Sequence, residues 1–250
     1  MCLYVPFSTS AQLKSLETDA HLDELTNVEW EIFSAPDELV AARLLLRKSN
    51  IHSSAGDYAQ ALATLDRINS YALGDSLQEK IMEERISLLY LNGEFEQAKN
   101  ALLEASVLGY SQNDDLRLIE VLNYIGLKDV EQAKSQYEKL NPGGDVSEVF
   151  STKKFRKPTK AFNLSLLLPG SGQIYAGHTL KGVTSLGVQA FLFTYGIKGI
   201  QRRYFFTEAL PSVALFQGFY FGGAEFAREL TEERNRKIIN ELSNQVLSSF

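Results

Sequence analysis

A chain of 250 residues is long enough to bury a core and to divide in two, and its charge divides sharply. Residues 1–150 hold 12 Lys and Arg against 25 Asp and Glu, whereas residues 151–250 hold 13 against 6. The acidic half is unsuited to nucleic acid, and the single cysteine, Cys2, excludes an intramolecular disulfide and a thiolate metal site. His21, His52 and His178 stand far apart in sequence and read as solitary side chains, with no metal or cofactor implied.

Met1 to Gln12 is an apolar run followed by small residues, with Thr9 and Ala11 spaced as a signal peptidase would require. Residues 1–12 are therefore expected to be the remnant of an export signal; an ordinary frayed terminus is the alternative. Residues 13–140 favour helix throughout: Leu, Ala, Glu, Lys and Gln dominate, and no proline falls between Pro36 and Pro142.

A hexapeptide recurs within this stretch. Gly56-Asp57-Tyr58-Ala59-Gln60-Ala61 returns as Gly93-Glu94-Phe95-Glu96-Gln97-Ala98 and again as Lys128-Asp129-Val130-Glu131-Gln132-Ala133. A period in the mid-thirties marks stacked helical hairpins. Each element of the hexapeptide has a physical reason. Glycine ends one helix in a left-handed conformation, and the acidic residue opens the next near its positive end. The aromatic at Tyr58 or Phe95 plugs the seam, and the small Ala61, Ala98 or Ala133 lets neighbouring helices approach. Apolar residues follow on each second helix at Leu65, Leu102 and Tyr137, and Pro142 closes the third unit.

From Pro36 to Pro142 the chain resembles tetratricopeptide repeats. It departs from them in lacking the early Trp and the Leu-Gly pair, and in carrying Lys128 and Val130 where glycine and an aromatic are usual. The resemblance implies a binding face for a protein or peptide.

Residues 141–160 read as a linker that opens on Asn141-Pro142-Gly143-Gly144. It carries five positive charges and no negative one from Lys153 to Lys160, a natural contact for anionic head groups. Three uncharged stretches follow within residues 161–226: 161–180, 182–197 and 209–224. Only the first reaches the roughly 20 residues of a spanning helix. Gly218 and Gly222 form a G-x-x-x-G, which packs helices closely in lipid. Residues 227–250 return to a charged amphipathic helix with Leu230, Ile238, Leu242 and Val246 on one stripe.

The glycines at the start of this apolar block invite comparison with a phosphate loop. Gly172 and Gly177 have the P-loop spacing, but His178-Thr179 replaces the required lysine and hydroxyl residue, and no third glycine completes a dinucleotide fingerprint. With no HExxH, no paired cysteine and no G-x-S-x-G, the chain is not expected to be an enzyme. Pro169 instead breaks a helix, Gly170 and Gly172 permit a tight turn, and the Gln173 amide can serve backbone groups freed by the break. Pro169, Gly170, Gly172, Gln173, Tyr175, Gly177, Lys181 and Gly182 together resemble the P-G-x-G-Q-x-Y-x-G-x-x-x-K-G pattern of small bacterial membrane domains of two or three apolar helices, sometimes joined to helical repeats. That resemblance implies topology and no activity.

The expected fold is all-α: a tetratricopeptide-like array of helical hairpins, then a C-terminal helical membrane domain. The expected role is a scaffold or adaptor that holds a partner protein at the bacterial envelope, embedded through residues 161–226 and able to form homo-oligomers. The signal-like start places the repeats outside the cytoplasm, at the inner membrane, and the basic cluster before the apolar block argues for the opposite side. A channel- or transporter-like unit with Lys181, Glu208 and Glu225 facing a lumen is the alternative, and a soluble helical oligomer a further one.

Overall fold

The computed structural model describes residues 9–70, 73–111, 113–150 and 154–249, and is helical wherever it is regular. The chain falls into two compact units, Met1–Gly144 and Asp145–Phe250. The signal-like run up to Ser8 lies outside the described residues, while Thr9 and Ala11 fall in the first helix.

In the first unit α1 (Thr9–Phe33) precedes three hairpins: α2 (Glu38–Ser54) with α3 (Tyr58–Leu65), α4 (Asp75–Leu91) with α5 (Phe95–Val107), and α6 (Asp114–Gly126) with α7 (Val130–Leu140). The hexapeptides are the hairpin turns. Gly56 and Gly93 both have φ +79°, and in each turn the next amide reaches back to close the helix: Asp57 N–H to His52 O and Glu94 N–H to Leu89 O. Asp57 and Asp129 then cap the second helices, each accepting from the amide three residues on at 3.2 Å. Ala61, Ala98 and Ala133 are fully buried, so a larger side chain at any of them would push two helices apart.

The third turn keeps the geometry without the glycine. Lys128 sits at φ 64°, and the Asp129 amide still bonds to Tyr124 O. Phe95 does more than fill its own hairpin. Its ring lies where a Cβ on Gly126 would be, within 2.7 Å at two carbons, so glycine on α6 makes room for the preceding repeat's aromatic. Asn123 Nδ2 donates to Phe95 O at 3.0 Å across the same junction.

Helix α1 joins the array through Val28, fully buried, and through Glu29, which accepts from Lys48 at 2.7 Å and from Arg67 at 3.0 Å. Those bonds, Arg67 first, hold the Glu29 carboxyl down at about 2. A depressed carboxylate stabilises the fold above its ordinary pKa, and that contribution fades as the pH drops from about 4.5 toward 2.

The second unit contains a single turn, α8 (Val146–Val149), then α9 (Pro158–Leu167), α10 (Ser171–Tyr175), α11 (Thr179–Gln201), a π-helical turn (Phe205–Ala209) and α12 (Leu210–Ser248). The first uncharged stretch is two short helices, broken where the proline implied: Leu168 leaves the helical region ahead of Pro169. Two boundaries differ from the sequence reading. The basic run is not a free linker, since Arg156 donates its amide to Asn235 Oδ1 at 3.0 Å and accepts from Asn235 Nδ2 at 2.7 Å. The third uncharged stretch and the charged tail form one 39-residue helix, nothing between Gly223 and Leu230 being able to stop it. Leu230, Ile238, Leu242 and Val246 of the tail stripe are buried within this unit.

Replacing Lys128 by glycine removes the steric cost of a left-handed side chain, so Lys128→Gly is expected to stabilise the first unit by up to about 1 kcal/mol in urea denaturation, and Gly56→Ala to cost a similar amount.

Candidate functional site

The sequence motif of the second unit is a crossing point of four helices. Gly170 adopts φ +88°, and a Cβ there would lie 2.1 Å from Gly182 O. A Cβ on Gly182 would meet Gly170 O at 2.5 Å, so the turn before α10 and the first turn of α11 touch backbone to backbone. Gly172 is tighter still: its missing Cβ would meet Ala161 O at 2.0 Å, Ser165 Oγ at 2.3 Å and Ala227 Cβ at 2.8 Å. Here α9, α10 and α12 converge on one glycine. Gly177, at φ +98°, ends α10 beside Arg234.

Gln173 is fully buried in the crossing. Its Oε1 accepts from Ser165 Oγ at 3.1 Å, and its Nε2 donates to Gly223 O at 2.8 Å. It thereby ties α9 to α12, and does not serve the helix break as the sequence suggested. That role falls to Ser171, whose Oγ contacts Leu164 O at 2.6 Å and Leu168 O at 2.7 Å. Tyr175 is half-buried, with Arg156 Cζ and Lys160 Nζ each 5.4 Å from its ring centre, and its hydroxyl accepts from the Lys157 amide at 3.3 Å. Lys181 reaches over the Phe226 ring at 5.2 Å.

Below the crossing, α11 and the first half of α12 pair as an antiparallel hairpin. The register is read from its contacts: Lys181 lies level with Phe226, Gln189 with Phe219 and Gly196 with Ser212. The seam holds small and polar residues. Gly182, Gln189, Gly196 and Gly199 are buried on α11, Ser212 and Ala224 on α12, with Leu192 the one large apolar residue among them. Gln189 Nε2 donates to Phe219 O and to Ser185 Oγ, both at 3.3 Å. Large apolar side chains stay outside the seam: Val183, Leu186, Phe191, Leu215 and Phe221 are all exposed, while Phe193, also exposed, meets the half-buried Phe216 of α12 at 6.1 Å between ring centres.

Gly218 and Gly222 are not in this seam. Open space surrounds the Cβ position of each, and Gly223, rotated about 100° around the helix, faces Gln173, Ser185 and Gln189 instead. Sequence reasoning missed Ser165, Gln189, Arg156 and Asn235; a lone amide in an uncharged helix was the available signal for Gln189. Glu225 pairs with Arg228 on its own helix, and the side chain of Glu208 lies outside the described residues.

The first unit carries a cleft of about 460 Å³ between α5 and α7, floored by α6, with Lys99, Leu102, Glu120, Asn123, Tyr124 and Lys139 on its walls. Burial raises the Glu120 pKa, against the attraction of Lys139. Burial also raises Glu84 on α4, with Lys80 opposing.

Among the described residues no helix is long and apolar enough to cross a membrane. The chain matches no family model, no curated protein and no solved structure.

Two outcomes test these packings. Gly172→Ala forces a methyl into three helices and is expected to cost about 3 kcal/mol or more in the second unit, whereas Gly218→Ala, at an open mid-helix position, is expected to stabilise it by about 0.5–1 kcal/mol in thermal unfolding. A raised carboxyl favours the fold in its protonated form and loses that advantage as the pH rises through its pKa. Glu120→Gln is therefore expected to raise the melting temperature of the first unit at pH 7, with the gain shrinking as the pH falls through the raised pKa and gone below the ordinary 4.5.

Proposed function

We propose that the protein is a scaffold, a tetratricopeptide-like array held at a membrane by the α11–α12 hairpin. The observation that carries the membrane half is the inverted composition of that hairpin. Water drives large apolar side chains into a seam and leaves polar ones outside. Here the seam holds glycines, Gln189 and Ser212, while Val183, Phe191 and Phe221 are exposed. Small residues at the contact with a few side-chain amides as cross-links are the packing that helices use in lipid, where burying a Leu against a helix gains little over leaving it among acyl chains.

The dimensions support a shallow fit. The uncharged run from Gly182 to Ile197 is about 24 Å long as a helix, short of a hydrocarbon core of about 30 Å. That shortfall agrees with the absence of a sufficiently long apolar helix among the described residues. Local thinning of the bilayer and extended lysine stems close it: Lys181 lies at one end of the run, and Lys198, Arg202 and Arg203 at the other. Arg156 and Lys160, folded over Tyr175 beside the crossing, supply cations for anionic head groups.

The partner-binding half rests on the hairpin array and its resemblance to tetratricopeptide repeats, which implies a protein or peptide partner for the face made by α2, α4 and α6. The bacterial envelope as its location rests on the resemblance of the Pro169–Gly182 motif.

Flotation of the full-length chain with phospholipid vesicles tests the membrane half. The protein is expected to rise with the vesicles and to remain bound in 1 M salt, where the Debye length of about 3 Å removes surface attraction. Recovery of all the protein at the bottom of the gradient as a stable oligomer would overturn the reading in favour of a soluble assembly.

A further inference from the structure

The open glycines that the seam does not use border a groove. It runs between α11 and α12 on the outer side of the hairpin, encloses about 570 Å³, and is walled by Lys181, Thr184, Val188, Gly218, Gly222 and Phe226 among others. Its surface is almost wholly apolar except at the Lys181 end. We propose that this groove seats one acyl chain of an anionic phospholipid, with the Lys181 ammonium against its phosphate. The proposal rests on the membrane reading given above.

Three features select that occupant. Depth comes first. From Gly218 to Phe226 the groove runs about 12 Å along the helix, and the register puts Lys181 at the end next to the crossing, where Arg156 and Lys160 also lie. A molecule with its head at Lys181 therefore extends its tail along the uncharged part of the hairpin. The second feature is width. Leu180, at the Lys181 end, is 79% exposed and Phe219, next to Gly218, is 52% exposed, and both line the groove. They hold off another helix, about 10 Å across with its side chains, and leave room for an unbranched hydrocarbon chain. Charge complementarity is the third. Lys181 is exposed and stacked on Phe226 with its ammonium at the groove mouth, so it can meet a phosphate without first leaving a buried partner.

The full-length chain, reconstituted in vesicles of equal phosphatidylglycerol and phosphatidylcholine and extracted in mild detergent, is expected to retain one phosphatidylglycerol per chain in native mass spectrometry. Gly222→Leu, which fills the groove from an open position, is expected to float with vesicles as wild type does and to lose the retained lipid by about tenfold or more. Lys181→Gln is expected to keep a lipid but to lose the preference for phosphatidylglycerol. Lipid-free wild-type protein would overturn the assignment, as would a Gly222→Leu variant that retains lipid unchanged. A wild-type dimer dissolved by Gly222→Leu would replace the lipid by a second copy of the chain. Failure of the wild type to float removes the membrane reading and this proposal together, whereas flotation without retained lipid removes this proposal alone.

Discussion

The second unit depends on the absence of four atoms. A Cβ at Gly170, Gly172, Gly177 or Gly182 meets backbone, side chain or a disallowed φ, and at Gly172 it meets three helices at once. Because α9, α10 and α12 converge there at backbone distance, polar groups of one helix come within reach of the carbonyls of another. Gln173 bonds across that gap to Gly223 O, and Asn235 does the same with both polar atoms of the Arg156 backbone. Close approach and polar cross-linking are two aspects of one arrangement. A larger residue at Gly172 would break the hydrogen bonds by removing the proximity that makes them.

Both units pack helices closely, and they do so with different residues. In the first, Ala61, Ala98 and Ala133 bring helices together while Leu65, Ile86, Leu88 and Ile125 fill the space around them, and charged side chains face out. In the hairpin of the second unit the buried residues are mostly glycines with Gln189, Leu192 and Ser212, and several aromatics, Phe191 and Phe221 among them, are exposed. Exposed apolar area of that kind marks an interaction surface.

The parts of this fold that were legible in the sequence obey local rules. A left-handed turn followed by an acidic cap depends on six consecutive residues, so the three hairpin turns could be read directly. Lys128 shows the limit of that logic: the position holds a left-handed backbone because the surrounding hairpin imposes it, and residue type alone pointed away from it. The break at Pro169 was legible for the same local reason. The use of Gln173 was not, since its partner lies 50 residues away on α12. Choosing Gly223 over Gly218 and Gly222 for the seam depends on which face of α12 meets α11, a tertiary fact that a spacing of four cannot encode. The continuity of α12 past Glu225 was hidden because a change from apolar to charged composition resembles a boundary, although the helical backbone is indifferent to it.

That continuity has a mechanical consequence. At 39 residues α12 is about 58 Å long, and the crossing grips it partway, at Gly223 and Ala227. Beyond that grip the helix stays packed, through the Asn235 bonds to Arg156 and through buried Ile238, Leu242 and Val246. From Gly223 to Ser248 this packed length measures about 37 Å, so an unkinked α12 cannot tilt on the hairpin side without carrying those contacts with it. A strain applied to α12 on the hairpin side is therefore passed to the Asn235 bonds with Arg156, with the glycine crossing between the two.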